Sequence, residues 1–271
     1  MSAGDADRPH AIITGGSQGI GLAVGQRLAA QGFALTLIAR GETALAAAQD
    51  TLSPAPVLTM ACDVARGDAL AAVMKDAVHR LGPCHTLVTA AGTVEPGAFD
   101  TLDAAAFERQ MAVNYFGTVA AVRAVYGSMC ERRQGRIVLV STAAALIGIY
   151  GYTAYAGSKF AVRGFAEALR TEARPYGVAV SISYPGDTDT AQYARECETR
   201  PPETAAIAGS ASLSTADAVA DAIVRGMDRG TFAIYPNAKT ALLGRTASLV
   251  APLAFRSFDK TVMRLKGRRG R

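Results

Sequence analysis

The stretch "TGGSQGIG", residues 14 to 21, lies between the apolar run "HAIIT" and a segment of helical period that begins near Ile20 and ends around Gly32. Glycines at 15, 19 and 21 let a backbone turn tightly at the end of a strand and come close to a pyrophosphate. The helix that follows turns its free N–H groups and positive dipole end toward the same point. Strand, glycine turn and helix in this order predict a dinucleotide cradle, with Gly15, Ser17, Gln18, Gly19, Ile20 and Gly21 as candidate contacts.

Working outward, "ALTLIA", "VLTMACD", "TLVTAA", "RIVLVS", "VAVSISYP" and "TFAIYP" are further strand-like runs, separated by stretches of helical period. Strands that alternate with helices in this way predict a parallel sheet covered on both faces: an α/β fold, a Rossmann-type doubly wound three-layer sandwich with a seven-stranded parallel sheet. One helix is expected from Asp103 to about Glu131 and another from Thr153 to about Arg174, where Pro175 and Gly177 stop it. "STAD", Ser214 to Asp217, reads as a capping box opening a helix that ends at Gly230. Residues 186–213 read as a long irregular stretch, and a loop of that length is usually functional or disordered. The organisation expected is one catalytic domain over 8–239, including this substrate loop, followed by an amphipathic segment and basic tail over 240–271.

Half of the 271 residues are hydrophobic and 19% are charged, a globular composition. The net charge of +5 does not indicate nucleic-acid binding, because much of the excess is a tail formed by Lys260, Arg264, Lys266, Arg268, Arg269 and Arg271. Such a tail reads either as a solvated end or as contact with an anionic membrane surface. Cys62, Cys84, Cys130 and Cys197 are scattered, with no metal-ligand spacing, and predict a reduced cytoplasmic protein without a bound metal. "MSAGDADRPH" carries acids and no apolar run, so it reads as neither signal nor anchor.

The second strand ends in "LIAR". An acidic residue here would accept hydrogen bonds from a ribose 2′-hydroxyl, but the chain offers Ala39 and Arg40, and a guanidinium suits a 2′-phosphate. NADP(H) is therefore the expected cofactor, with Asp63 placed to accept a hydrogen bond from the adenine amino group and Val64 beside the ring. In "YTAYAGSKF", residues 152 to 160, Tyr155 and Lys159 fall one helical turn apart on one face. A ketone accepting hydride at carbon needs a proton at oxygen. A phenol with an ordinary pKa near 10 can supply it when a close cation favours the phenolate.

Together with Asn114 in "VNYFG", Ser141, Thr142, "TAAG" and "YPGDTDT", these motifs resemble the short-chain dehydrogenase/reductase family over nearly the whole chain. The resemblance implies that Lys159 also holds the nicotinamide ribose hydroxyls, and that a strand-five hydroxyl holds the substrate carbonyl. Family spacing places that hydroxyl at Thr142, with Ser141 as the alternative. It further implies that Asn114 binds a water linking Lys159 to solvent, that Ala91 and Gly92 approach the cofactor, and that Pro185, Gly186, Thr188 and Thr190 surround the nicotinamide. Thr89 and Ala90 depart from the two asparagines common before the alanine and glycine.

"ERRQGRIVLVS", "GYTAYAGSKFAVRGFAEALRTEARPYGV", "YPGDTDT" and "ETRPPET" look like the 3-ketodihydrosphingosine reductase group of that family. This likeness implies NADPH-dependent reduction of 3-ketosphinganine to sphinganine in sphingolipid synthesis. Rival readings are a reductase of another lipophilic ketone, such as a 3-ketoacyl thioester, or a cofactor-binding module without turnover. "TASLVAPLAF", containing Pro252, is too short to span a bilayer, for which about twenty residues are needed. With the leucines before it, the segment reads either as a peripheral membrane contact or as a helix closing the substrate cleft or meeting another subunit. Family habit and the small-residue face of the Tyr155 helix imply a homodimer or homotetramer.

Overall fold

A computed structural model describes residues 8–209 and 213–269, with side chains through Gly267. Residues 1–7, residues 210–212 of the expected substrate loop, and the Arg268, Arg269 and Arg271 side chains of the basic tail lie outside the described residues. The chain runs β1 (His10–Thr14), α1 (Gly19–Ala30), β2 (Ala34–Ala39), α2 (Glu42–Leu52), β3 (Val57–Ala61), α3 (Gly67–Leu81) and β4 (Cys84–Thr89). Then follow α4 (Ala104–Met111), α5 (Gly117–Glu131), β5 (Gly135–Val140), α6 (Thr153–Ala173) and β6 (Val178–Ser183). The remainder is β7 (Thr188–Asp189), α7 (Ala191–Thr199), α8 (Pro202–Ala208), β8 (Ser214–Thr215), α9 (Ala216–Asp228), β9 (Ala233–Ile234) and α10 (Ala238–Arg269).

Seven strands form one parallel sheet in the order β3-β2-β1-β4-β5-β6-β9. Successive side chains of a strand face opposite sides of a sheet, and β1 shows the result. Ile12 joins the layer of α3, α5 and α6, with Leu70, Met129 and Val162, while Ala11 and Ile13 join the layer of α1, α2 and α9, with Leu28, Leu45 and Ile223. Both faces are thus sealed by apolar side chains, which gives the expected three-layer sandwich. Because β1 lies between β2 and β4, the chain winds outward in opposite directions from the β1–β4 pair. A crevice opens at the carboxyl ends of those strands.

Three expectations are corrected. The helix expected from Asp103 to Glu131 is broken into α4 and α5 by a π-helical turn over Ala112–Phe116, which contains Asn114. Asp103 caps α4, its Oδ1 accepting from Ala106 N at 2.7 Å. The stretch expected to be irregular over 186–213 holds, among its described residues, α7, α8 and the β7 strand, which pairs with β8. Ser214 is therefore taken up in a strand, and Thr215 caps α9 instead, its Oγ1 accepting from Ala218 N at 3.1 Å. The C-terminal segment, read either as a lipid contact or as a helix at the cleft or a subunit contact, is one long helix with Pro252 inside it.

Candidate active site

The crevice at the β1 and β4 ends leads into a cavity of about 1080 Å³. Its floor is backbone. Gly15 has φ +69°, and a Cβ there would stand 2.6 Å from Ala91 N; a Cβ on Gly21 would stand 2.2 Å from Gly15 O. The turn closes only because both lack side chains. Gly15 N donates to Ile38 O at 2.8 Å, and Ala91 N to Thr14 Oγ1 at 3.4 Å, so the turns after β1 and β4 are fastened to each other and to β2.

All the residues expected to touch a dinucleotide, from Gly15 through Arg40, Asp63, Val64, Ala91 and Gly92 to Pro185, Gly186, Thr188 and Thr190, line this one cavity. Arg40 stands exposed at its edge and makes no hydrogen bond or ion pair among the described residues. Asp63 is braced by Ala65 N, which donates to its Oδ1 at 3.0 Å. A narrow backbone cradle that any Cβ would fill, joined to an unpaired guanidinium after β2, fits a dinucleotide bearing a 2′-phosphate.

Of the expected catalytic residues, Ser141, Thr142, Tyr155 and Lys159 line the same cavity, and Asn114 does not. Tyr155 lies in the first turn of α6, and the Thr142 hydroxyl, at the end of β5, hydrogen-bonds its phenol. Ser141 is buried and directs its Oγ to Lys159 O at 3.4 Å, into the α6 backbone. Strand alternation separates the two neighbours: one hydroxyl faces the cavity and the other faces the helix.

Lys159 is buried, and its Nζ donates to Val140 O at 3.1 Å. Burial lowers its pKa from 10.5 to about 8. The sequence leads one to expect that Lys159 brings the phenol of Tyr155 toward neutrality. In the structure the phenol is instead pushed up, first by burial, then by the charge of Glu196, with Asp187 adding to it and only the Thr142 hydrogen bond opposing. Lys159 does not offset these effects because its ammonium is turned to the β5 carbonyl.

Asn114 is wholly buried beneath the β4 turn. Its Oδ1 accepts from Thr93 N at 2.8 Å, and its Nδ2 donates to Thr93 O at 2.9 Å and to Ser158 Oγ at 2.9 Å. Thr118 Oγ1 donates to its backbone carbonyl at 2.8 Å. A Cβ on Gly92 would lie 3.2 Å from Asn114 Oδ1 and 3.4 Å from Lys159 Nζ, so all three converge at Gly92. The π turn that aims Asn114 here leaves no trace in hydrophobic periodicity, although such turns are frequent at functional sites.

The other end of the cavity is apolar. Ile147, Ile149, Ile207, Leu243, Val250, Ala254 and Phe258 line it, the last four from α10. Tyr152, Asp187, Tyr193 and Glu196 line the cavity as well, and the Tyr152 and Tyr155 rings lie with their centroids 5.5 Å apart. Sequence reasoning gave these four no role. Asp187 lies inside the quoted "YPGDTDT", but a carboxylate in a loop carries no signal of what it faces. No group of three or more His, Cys, Asp or Glu among the described residues could hold a metal ion.

The pattern of the short chain dehydrogenases matches residues 9–200. Among known proteins, the chain is 42% identical over 230 residues to the 3-ketodihydrosphingosine reductase of Bos taurus, covering 82% of this chain and 69% of that one. It is 41% identical over 230 residues to the 3-dehydrosphinganine reductase of Danio rerio, with the same coverage. Among solved structures, an actinorhodin polyketide ketoreductase variant with NADPH superposes with a TM-score of 0.78 at 27% identity, over 85% of this chain and 96% of that one. A short-chain dehydrogenase from Sphingobium yanoikuyae in complex with NADPH gives 0.76 at 26% identity, over 89% and 94%. Glycine cradle, seven-stranded order and Tyr155–Lys159 helix agree with these likenesses, and the chain belongs to the short-chain dehydrogenase family.

Proposed function

We propose that the protein reduces the 3-keto group of 3-ketosphinganine to sphinganine with NADPH. The observation that carries this reading is the shape of the cavity, which runs from the glycine cradle past Tyr155 and Thr142 to a long apolar wall on α10. It suits a nucleotide at one end and an alkyl chain at the other, with a carbonyl between them. The names borne by the curated relatives point to the same substrate. Residues 8–239 serve as the catalytic domain, and the segment from 240 onward shapes the substrate end.

Gly15, Ser17, Gln18, Gly19, Ile20 and Gly21 hold the pyrophosphate, Arg40 the 2′-phosphate, Asp63 and Val64 the adenine. Ala91, Gly92, Pro185, Gly186, Thr188 and Thr190 frame the nicotinamide. When bound, the cofactor supplies the hydride for the carbonyl carbon. The Thr142 hydroxyl orients the carbonyl oxygen, and Tyr155 delivers its proton to that oxygen as negative charge develops there. Lys159 favours the resulting phenolate and holds the ribose. Asn114 acts by locking Thr93 against α6, which keeps Gly92 and the Lys159 amine in register, and its water-binding role stands as part of this proposal.

Two further parts concern the surface. On α10, Leu242, Leu249 and Leu253 are exposed while Leu243, Val250 and Ala254 line the cavity, and Arg245, Arg256, Lys260 and Arg264 share the helix. No helix among the described residues is long and apolar enough to cross a membrane, so the outer face of α10 is proposed as a reversible contact with anionic lipid. Exposed Phe116 and Phe160, beside the open Gly157 and Gly164 of α6, support a homodimer or homotetramer through the α5 and α6 faces.

The test is product identification after incubation with 3-ketosphinganine and NADPH, with a 3-ketoacyl thioester as competitor. Sphinganine formed with the higher kcat/KM supports the reading. Preferential reduction of the thioester overturns it. Co-sedimentation with anionic vesicles, before and after removal of residues 240–271, tests the lipid contact.

A further inference from the structure

The cavity is also lined by acids that proton delivery does not use, Asp187 and Glu196. Glu196 of α7 accepts hydrogen bonds at Oε1 from the Tyr152 hydroxyl and from Arg200, whose Nε lies at 3.0 Å and whose Nη2 also reaches it. These bonds all go to Oε1, and none goes to Oε2. Arg200 extends to Asp187 as well, Nη1 to Oδ2 at 3.3 Å, and its guanidinium lies over the Tyr193 ring. The Glu196 and Arg200 side chains are only 11% and 7% exposed.

Two carboxylates therefore share one guanidinium, so the cluster carries one net negative charge, with Asp187 26% exposed and the Glu196 carboxylate largely shielded. A partly desolvated charge of that kind is costly unless a counter-charge completes it. Lys159 does not complete it, being directed to Val140 O. The Tyr152 ring, whose hydroxyl binds Glu196, lies edge-on to the Tyr155 ring with centroids 5.5 Å apart, which brings the carboxylate close to the phenol.

We infer that Glu196 is the residue that selects an α-amino ketone, its free Oε2 accepting hydrogen bonds from the substrate ammonium. Arg200 and Tyr152 are positioning residues that fix the carboxylate through Oε1. The inference rests on the amino-ketone reading of the site. In 3-ketosphinganine the carbon bearing the amine is bonded directly to the ketone carbon, so a carbonyl held by Thr142 and Tyr155 brings the cation to this carboxylate. A 3-ketoacyl thioester has no cation there and would leave Oε2 without its partner and the net negative charge of the cluster uncompensated, which favours the amino ketone. The cation also offsets the charge that holds the proton on Tyr155, so the substrate makes its own proton donor more acidic.

The experiment compares 3-ketosphinganine with the same long-chain ketone carrying hydrogen in place of the amine. For the unmodified protein, kcat/KM is expected to favour the amino ketone by about 10- to 100-fold, the range for one charge-assisted hydrogen bond. Glu196→Gln, which retains the bond to Tyr152, should narrow the preference for the amino ketone over the neutral one to within about threefold, whatever the common change in rate that follows from the altered charge beside Tyr155. In the unmodified protein, sphinganine should likewise bind more tightly than its deamino alcohol by calorimetry. Equal use of both ketones by the unmodified protein, or equal loss on both in Glu196→Gln, overturns the inference while leaving the sphingolipid reading intact. Reduction of the neutral ketone with no turnover of 3-ketosphinganine overturns that reading itself.

Discussion

The two ends of the cavity are made of different material. At the β1–α1 end the walls are backbone, and a Cβ on Gly21 would meet Gly15 O at 2.2 Å. At the α7–α10 end the walls are side chains: Tyr152, Tyr193, Glu196 and the apolar face of α10. A backbone wall binds what every dinucleotide shares and tolerates no added atom. A side-chain wall can be rebuilt one residue at a time without moving the sheet. This difference explains how one fold keeps its cofactor while its substrates vary.

Tyr155, where the two ends meet, provides the largest test. Tyr155→Phe keeps the ring and removes the proton, so kcat should fall by roughly 10²- to 10⁴-fold while dinucleotide affinity, measured by fluorescence titration, hardly changes. A parallel loss of affinity would break the division between the ends. Lys159→Met should also abolish most turnover, yet stabilise the cofactor-free protein at neutral pH by up to about 3 kcal/mol, since its pKa falls from 10.5 to about 8. The sign follows from linkage. Between those values the unfolded lysine carries the proton that the folded one lacks, so stability rises with pH from about 8 upward, and this slope should vanish in the variant. Thermal unfolding across that pH range checks it.

Gly21→Ala should destabilise the protein by about 1–3 kcal/mol, as overpacking does, and weaken both NADPH and NADH. Urea unfolding combined with the two titrations reads this directly, and unchanged affinity for both would remove the argument for a backbone wall. Arg40→Ala is the contrasting case at the same end. It should cost NADPH about tenfold in affinity through loss of a charge-assisted contact, and leave NADH nearly unchanged. The smallest effect expected is at β5: Thr142→Val should lower kcat more than Ser141→Ala, because Thr142 meets the phenol and Ser141 faces Lys159 O. The reverse order in steady-state rates would assign the substrate hydroxyl to Ser141.

Sequence pattern by itself determined the strands, the parallel sheet, the glycine cradle and the pairing of Tyr155 with Lys159. These rest on local rules: alternation in strands, helical period, glycine at a turn, and residues four apart on one helix face. Such rules act between near neighbours in the chain, so short quoted stretches contain them. Only the tertiary structure decided the rest. The π turn that buries Asn114 under Thr93 changes one hydrogen-bonding step without altering the apolar pattern. The turning of Lys159 to Val140 O depends on a strand 19 residues away, which governs whether the amine acts on the phenol. Helices in 186–213 and through Pro252 form because α7, α8 and α10 cover the cavity, and tertiary packing overrides weak local preference. Glu196 illustrates the limit most clearly. It stands 41 positions beyond Tyr155 in the chain, and the charge it brings to that phenol exists only once α7 carries it to the Tyr152 hydroxyl beside Tyr155, since electrostatic effect follows distance and burial rather than order along the sequence.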